Sequence, residues 1–278
     1  MAREMELEGH LAEGYALSES QIADYARDGH LLLPKVANRE ILKAFAPAIE
    51  EEVKRLNRQD KPLRERDTYG QAFIQISNLW ETSAQVRRFV MARRFAGIAA
   101  RLMQADGVRI YHDQALFKEP GGGHTPWHQD QIYWPLDTTQ TITMWMPLVD
   151  IPADVGSMSF VSGSYHRGYI SKLVISDESH RTLQHYIDGS GMPVVHYGAM
   201  QAGDATFHAG WTLHSAPSNP TDAMRKVMTI IYVADGTRIL EPDSNARRSD
   251  LTRWMPERRP GELADSRLNP LVYSAAGS

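Results

Sequence analysis

His128-Gln129-Asp130 places an imidazole and a carboxylate two residues apart. On a strand, residues i and i+2 face the same side, so the pair can grip one ion with two side chains. A third ligand must come from elsewhere, and Phe207-His208-Ala209-Gly210-Trp211-Thr212-Leu213-His214 offers His208 and His214. Their separation is even, so on one continuous strand both would face the same way, and spacing does not choose between them. Two imidazoles and one carboxylate on one face of a metal leave the opposite positions free, which suits non-haem Fe(II) oxygen chemistry. The same ligand types can hold zinc with an open position, so a metal hydrolase or isomerase is the alternative enzyme class. A non-catalytic binding barrel is the alternative outside enzymology. Arg225 follows His214 by 225 − 214 = 11 residues, enough for the chain to turn at Asn219-Pro220 and return on an adjacent strand. Its planar guanidinium suits a two-point grip on a carboxylate. Taken singly, H-x-D motifs are common on surfaces, and Arg225 could simply pair with Asp222. Their occurrence together favours a site.

The elements that must position these residues change character near Val108. Residues 1–107 are expected to be mainly helical support. Ser18-Glu19-Ser20-Gln21 has capping-box spacing, with Gly29 as the stop. Leu31-Leu32-Leu33-Pro34 looks like a short strand closed by proline. Glu40 to Leu56 carries a helical apolar stripe interrupted by Pro47, where a kink or break is expected. Val86 to Met103 carries a similar stripe. Residues 108–235 read as short strands: Val108 to Tyr111, Ala115 to Phe117, Ile142 to Val149, Val194 to Tyr197, Ala205 to Leu213 and Val227 to Val233. Breaks at Gly121-Gly122-Gly123, Asp154-Val155-Gly156 and Ser218-Asn219-Pro220 separate them. That punctuation predicts a mostly β fold with flanking helices, with a double-stranded β-helix (jelly-roll, cupin-like) core behind an N-terminal helical layer. Residues 236–278 are expected to form a tail, Arg- and Pro-rich from Glu241, that wraps over the surface of a single catalytic domain.

Composition narrows the possibilities. The 278 residues include no cysteine, which excludes disulfides, cysteine-ligated metal sites and cysteine nucleophiles. A cytoplasmic location fits. Net charge is −4, so no basic field invites nucleic acid. The charged start, Met1-Ala2-Arg3-Glu4-Met5-Glu6, is not expected to act as a signal peptide, and no apolar run is long enough to cross a membrane. The expected partner is a small-molecule substrate.

Together the motifs resemble the phytanoyl-CoA dioxygenase family. Asp113 to Lys118, Pro120-Gly121 and Trp127-His128-Gln129-Asp130 look like the first half of its signature. Gly203-Asp204-Ala205-Thr206-Phe207-His208 through His214 to Arg225 look like the second. Gly156 to His166, with its Gly-Ser-x-His turn, and Gly29-His30-Leu31-Leu32-Leu33-Pro34 are similar to further family segments, so the resemblance spans roughly residues 18 to 235. It implies an oxygenase that uses Fe(II), 2-oxoglutarate and O2, releases succinate and CO2, and hydroxylates or otherwise oxidises a small molecule, with natural-product metabolism as the expected setting. It implies His128, Asp130 and His214 as iron ligands. Arg225 would bind the distal carboxylate of 2-oxoglutarate, with Trp145 and Gln114 beside the cosubstrate, and His208 would play a supporting part. Trp134, Lys118, Phe160 and Met158 are the candidate substrate contacts. The presence of Asp130 argues against halogenation, which needs a small residue there. One departure stands out: several relatives carry serine two residues after the distal histidine, where this chain has Ala216, preceded by Ser215.

Overall fold

The computed structural model describes residues 2–153 and 155–277. Met1 of the charged start and Asp154 of the break at 154–156 lie outside the described residues.

The helical layer comes first. Helix α1 spans Ala2–Ala12 and α2 spans Glu19–Asp28. The expected capping box is present at α2: Ser18 accepts from the Gln21 amide while the Gln21 side chain returns to the Ser18 amide. Gly29 closes the helix with φ 77°, and a Cβ at this position would come within 2.3 Å of the Tyr165 ring. Strand β1, His30–Leu33, follows. Helix α3, Arg39–Leu56, runs through Pro47 without ending. The expected break is absent for a physical reason. Pro47 is exposed, while Ile41, Leu42, Phe45, Ala46, Ile49 and Val53 bury the other face. The backbone acceptor that proline leaves free therefore faces water, and packing outweighs the lost hydrogen bond. Short α4 (Thr68–Ala72) and β2 (Ile74–Ser77) come next. The stripe from Val86 to Met103 is divided between α5, Ala84–Val90, and α6, Arg93–Met103, because Ala92 takes an extended ψ of 122°.

The strands follow as β3 (Gly107–Lys118), β4 (Thr125–His128), β5 (Thr141–Pro147), β6 (Ser159–Val161), β7 (Val194–His196), β8 (Ala205–Ala209), β9 (His214–Ala216) and β10 (Arg225–Ala234). Helix α7, Asp177–Ser190, is inserted before β7 and packs its Leu183 and Ile187 against Trp127 of β4. Two expectations are corrected here. The runs at Val108 and Ala115 are one twelve-residue strand, and the run from Ala205 to Leu213 is split by a turn at Gly210-Trp211 into β8 and the approach to β9.

The strands form two antiparallel sheets. The larger has seven strands, ordered β1-β8-β5-β10-β3 and onward to the C-terminal strand β11 (Leu271–Ser274), with β2 also paired to β3. The smaller has the order β4-β9-β6-β7. This is a double-stranded β-helix, mostly β with flanking helices. Alternation sorts the larger sheet. Ile142, Met144, Phe207, Met228 and Ile230 join the helices in one core, while their neighbours Thr143, Trp145, His208, Thr229 and Ile231 face a cavity toward the smaller sheet. The last segment, expected as a tail wrapping over the surface, contains regular elements. It forms helix α8, Asn245–Trp254, and β11, which pairs with the start of β3.

Candidate metal and cosubstrate site

His128 ends β4 and His214 begins β9, and the two are register partners across the smaller sheet, with ring centroids 4.0 Å apart. Asp130 opens a single helical turn, Asp130–Ile132, directly after β4. Gln129, between the two potential ligands, pins this corner. Its side chain donates to the carbonyls of Gly168 (2.8 Å) and Trp211 (2.6 Å) and accepts from the amide of Ile170 (3.0 Å). The corner is therefore held from loops distant in sequence, and the H-x-D pair cannot drift.

His128, Asp130 and His214 bring one ligand atom each within 4.8 Å of one another. Asp130 Oδ1 lies 3.5 Å from His128 Nε2 and 3.6 Å from His214 Nε2. An ion about 2.1 Å from each ligand, at angles of about 90° to 110°, would separate ligand atoms by roughly 3.0–3.4 Å. The set needs only small adjustment to close on one. The tautomers are also defined. His128 Nδ1 is 2.7 Å from the Pro126 carbonyl and His214 Nδ1 is 2.9 Å from that of Thr212, so each Nδ1–H donates and each Nε2 keeps its lone pair for a metal.

Where spacing left His208 and His214 both open, it is His214 that groups with His128 and Asp130 as atoms that could hold one ion. His208 sits on β8 of the larger sheet and His214 on β9 of the smaller. His208 Nε2 reaches the other carboxylate oxygen, Asp130 Oδ2, at 3.3 Å, and Thr143 Oγ1 donates to the same oxygen at 3.2 Å. His208 thus braces the carboxylate from behind. Burial alone would raise the Asp130 pKa, but His214, His128 and His208 together outweigh it and hold the carboxyl well below its usual range. Burial, and then the proximity of His128, pushes His214 well below the usual histidine value.

Arg225 opens β10, is 5% exposed and lines the same cavity. Its Nε and Nη1 are buried without a hydrogen-bond partner. Burial lowers its pKa to about 10, so it remains charged at neutral pH. A buried, charged fork with two unused donors is costly unless an acceptor arrives, and a carboxylate is the acceptor that matches it. Trp145 lies beside the guanidinium, 5.5 Å from ring centre to Cζ. Gln114 also lines the cavity, its carbonyl accepting from Thr229 Oγ1 at 3.1 Å. Ala216 contributes a methyl group where a hydroxyl is absent.

The cavity has a volume of about 350 Å³. Trp134 and Met158 line it. Lys118 and Phe160 do not. Lys118 is fully buried and donates to the Gly123 carbonyl, with its pKa brought down to about 6 by burial and then by Arg225. Phe160 lies beneath the site, stacked on His30 at 4.8 Å and 6.2 Å from the His214 ring. It supports the histidines without forming cavity wall. Several lining residues escaped sequence reasoning: Tyr69, Phe73 and Gln75 from the helical half, His112 on β3, and Asp250, Arg253 and Trp254 on α8. His112 has the same parity as Gln114 and Leu116, so reading β3 as one strand would have exposed it. The residues of α8 gave no such signal.

A family model described as phytanoyl-CoA dioxygenase (PhyH) matches residues 25–227. Among solved structures, the non-haem α-ketoglutarate-dependent carbocyclase SnoK from nogalamycin biosynthesis is 26% identical, with a TM-score of 0.76 over 92% of this chain and 97% of that one. The epimerase SnoN, solved with Fe3+, α-ketoglutarate and nogalamycin RO, is also 26% identical, with a TM-score of 0.73 over 92% of this chain and 98% of that one. EctD from S. alaskensis, solved with 2-oxoglutarate and 5-hydroxyectoine, shares the fold at 20% identity, with a TM-score of 0.66 over 83% of this chain and 82% of that one. A sequence search of curated proteins finds no significant match.

Proposed function

Because the chain belongs to the phytanoyl-CoA dioxygenase family, we propose that it is an Fe(II)/2-oxoglutarate-dependent oxygenase that oxidises a small molecule of natural-product metabolism. The observation that carries this reading is the convergence of three ligand atoms within 4.8 Å in one cavity with a buried arginine whose donors are unspent. The two solved neighbours from nogalamycin biosynthesis support the natural-product setting.

His128 Nε2, His214 Nε2 and Asp130 Oδ1 would hold the iron, and Arg225 would hold the far carboxylate of 2-oxoglutarate. When bound, iron and cosubstrate supply the activation of O2, with succinate and CO2 as co-products. The protein's own contribution is orientation. The Pro126 and Thr212 carbonyls fix the two imidazole tautomers, and His208 and Thr143 fix the carboxylate. Trp145 flanks the Arg225 fork with an apolar face, and Ala216, Met158 and Val227 cluster with Trp145 to keep that end of the cavity dry. The serine present in several relatives is replaced by Ala216, so grip on the cosubstrate rests more heavily on Arg225. Hydroxylation is the default outcome. Ring closure and epimerisation are the outcomes named for the two neighbours.

The test is an anaerobic Fe(II) titration with 2-oxoglutarate, following the visible charge-transfer band of the chelate. Wild type is expected to develop the band and Asp130→Ala to lose it. An iron-loaded, folded wild type without a band would redirect attention to zinc and hydrolysis.

A further inference from the structure

The cosubstrate and iron would occupy one end of the cavity, between the two sheets. The other end has a different composition. Trp134 and Trp254 pack there in one cluster, with Tyr133 against it, separate from the cluster of Trp145, Met158 and Ala216, and Tyr69 and Phe73 of the helical half also line the cavity. Trp134 is 4% exposed and Trp254 7% exposed, so both rings are part of the wall. At this end stands Arg253, an exposed guanidinium 4.3 Å above the Trp254 ring, which also lines the cavity.

The Arg253 side chain makes no hydrogen bond or ion pair among the described residues. The neighbouring carboxylate does not engage it: Asp250 accepts from Tyr111 and is also hydrogen-bonded by Trp254. Burial raises Asp250 to about 7, so near neutral pH it offers Arg253 only part of a charge. The Arg253 charge nevertheless reaches inward, acting on Tyr69, His112 and Asp250. The Trp254 ring is itself packed by the guanidinium at 4.3 Å and by the His112 ring at 4.6 Å, so a flat ring would lie against the aromatic wall beside it, with an acidic oxygen paired to the guanidinium.

We propose that helix α8 is the substrate-selecting wall of the cavity and that Arg253, on Trp254, recognises an aromatic substrate through an acidic oxygen substituent. This rests on the oxygenase reading for the identity of the opposite end. Arg253 is a binding residue in this assignment, and it does not touch the reacting atoms.

The experiment uses full-length protein with Fe(II) and 2-oxoglutarate under anaerobic conditions and anthracene-2-carboxylate as the fluorescent probe. Binding is read by polarisation and the chelate band is recorded in the same samples. Wild type is expected to bind the carboxylate at least about tenfold more tightly than anthracene-2-carboxamide, and cyclohexanecarboxylate is expected not to displace it. Arg253→Gln, an exposed change that leaves the fold intact, is expected to abolish the preference for carboxylate over carboxamide. Trp254→Leu is expected to weaken both anthracene probes. Wild type that fails to bind the carboxylate at millimolar concentration overturns the proposal. So does Arg253→Gln with an unchanged preference. Probe binding without any chelate band would leave the α8 assignment standing and sink the oxygenase reading, so the two fail separately.

Discussion

Arg225 shows what one residue can reveal when its surroundings do not satisfy it. A guanidinium at 5% exposure with two unpartnered donors is stable only if the fold is built to receive something there. Replacing it with alanine is expected to raise the 2-oxoglutarate concentration for half-saturation by roughly 10- to 100-fold, the usual consequence of losing charge-assisted hydrogen bonds. Turnover at saturating cosubstrate should change less. Steady-state kinetics over a cosubstrate series checks this, and an unchanged requirement would remove Arg225 from the role. The H-x-D pair was legible in the sequence because ligand types two residues apart are a local property, whereas the choice of His214 over His208 came only with the family resemblance. The supporting atoms were not legible. Nothing in the spacing of His208 and His214 tells that they lie on opposite sheets, because the turn at Gly210-Trp211 that separates them sits inside an apolar run. Phe160 and Lys118 carry the right chemistry for a cavity wall, yet neighbouring elements draw them beneath it.

At the scale of elements, the site depends on how closely the turn between β8 and β9 meets the turn after β4. Gly210 is the contact point. Its carbonyl accepts from the Gln131 amide at 2.9 Å and its amide donates to the Thr141 carbonyl at 3.2 Å. A Cβ there would lie 2.4 Å from Thr141 Oγ1, 2.5 Å from Gln131 Oε1 and 2.7 Å from the Trp134 ring. Gly210→Ala is therefore expected to cost about 1–3 kcal/mol through overpacking, read as a lower midpoint in urea unfolding, and to weaken iron binding because Asp130 shares that turn. A variant with wild-type stability would show that the turn has slack. The α2 cap and most strands were readable because capping and alternation are written in short windows. Helix α8 was not. Trp254 is its one buried residue, so it has no apolar stripe to detect, and its place on the cavity follows from contacts far away in sequence.

At the scale of the molecule, Asp113 ties the helical half to the β core. Buried on β3, it accepts from the amides of Leu79 (3.0 Å) and Trp80 (3.3 Å). Burial pushes its pKa up to about 7, against its ordinary 3.8. The folded state thus keeps a proton that the unfolded chain has already released between pH 4 and 7. A raised carboxyl gives stability that is fully present below the unfolded pKa and is lost as pH rises through the folded one. The stability of wild type relative to Asp113→Asn should accordingly shrink from pH 4 to pH 7, by at most about 4 kcal/mol. Urea unfolding of both proteins across that range checks the sign, and a difference that grows with pH would refute it. The outer side of β3 carries a separate consequence. It is covered at its two ends by two short strands: β2 pairs with Gln114 to Phe117, and β11 with Gly107 to Arg109. A chain cut short before Leu271 would leave Gly107 to Arg109, at the start of that strand, without their partner strand. Such an open edge is a template for pairing with another copy. Loss of the last segment is therefore expected to let copies of the chain pair along that edge.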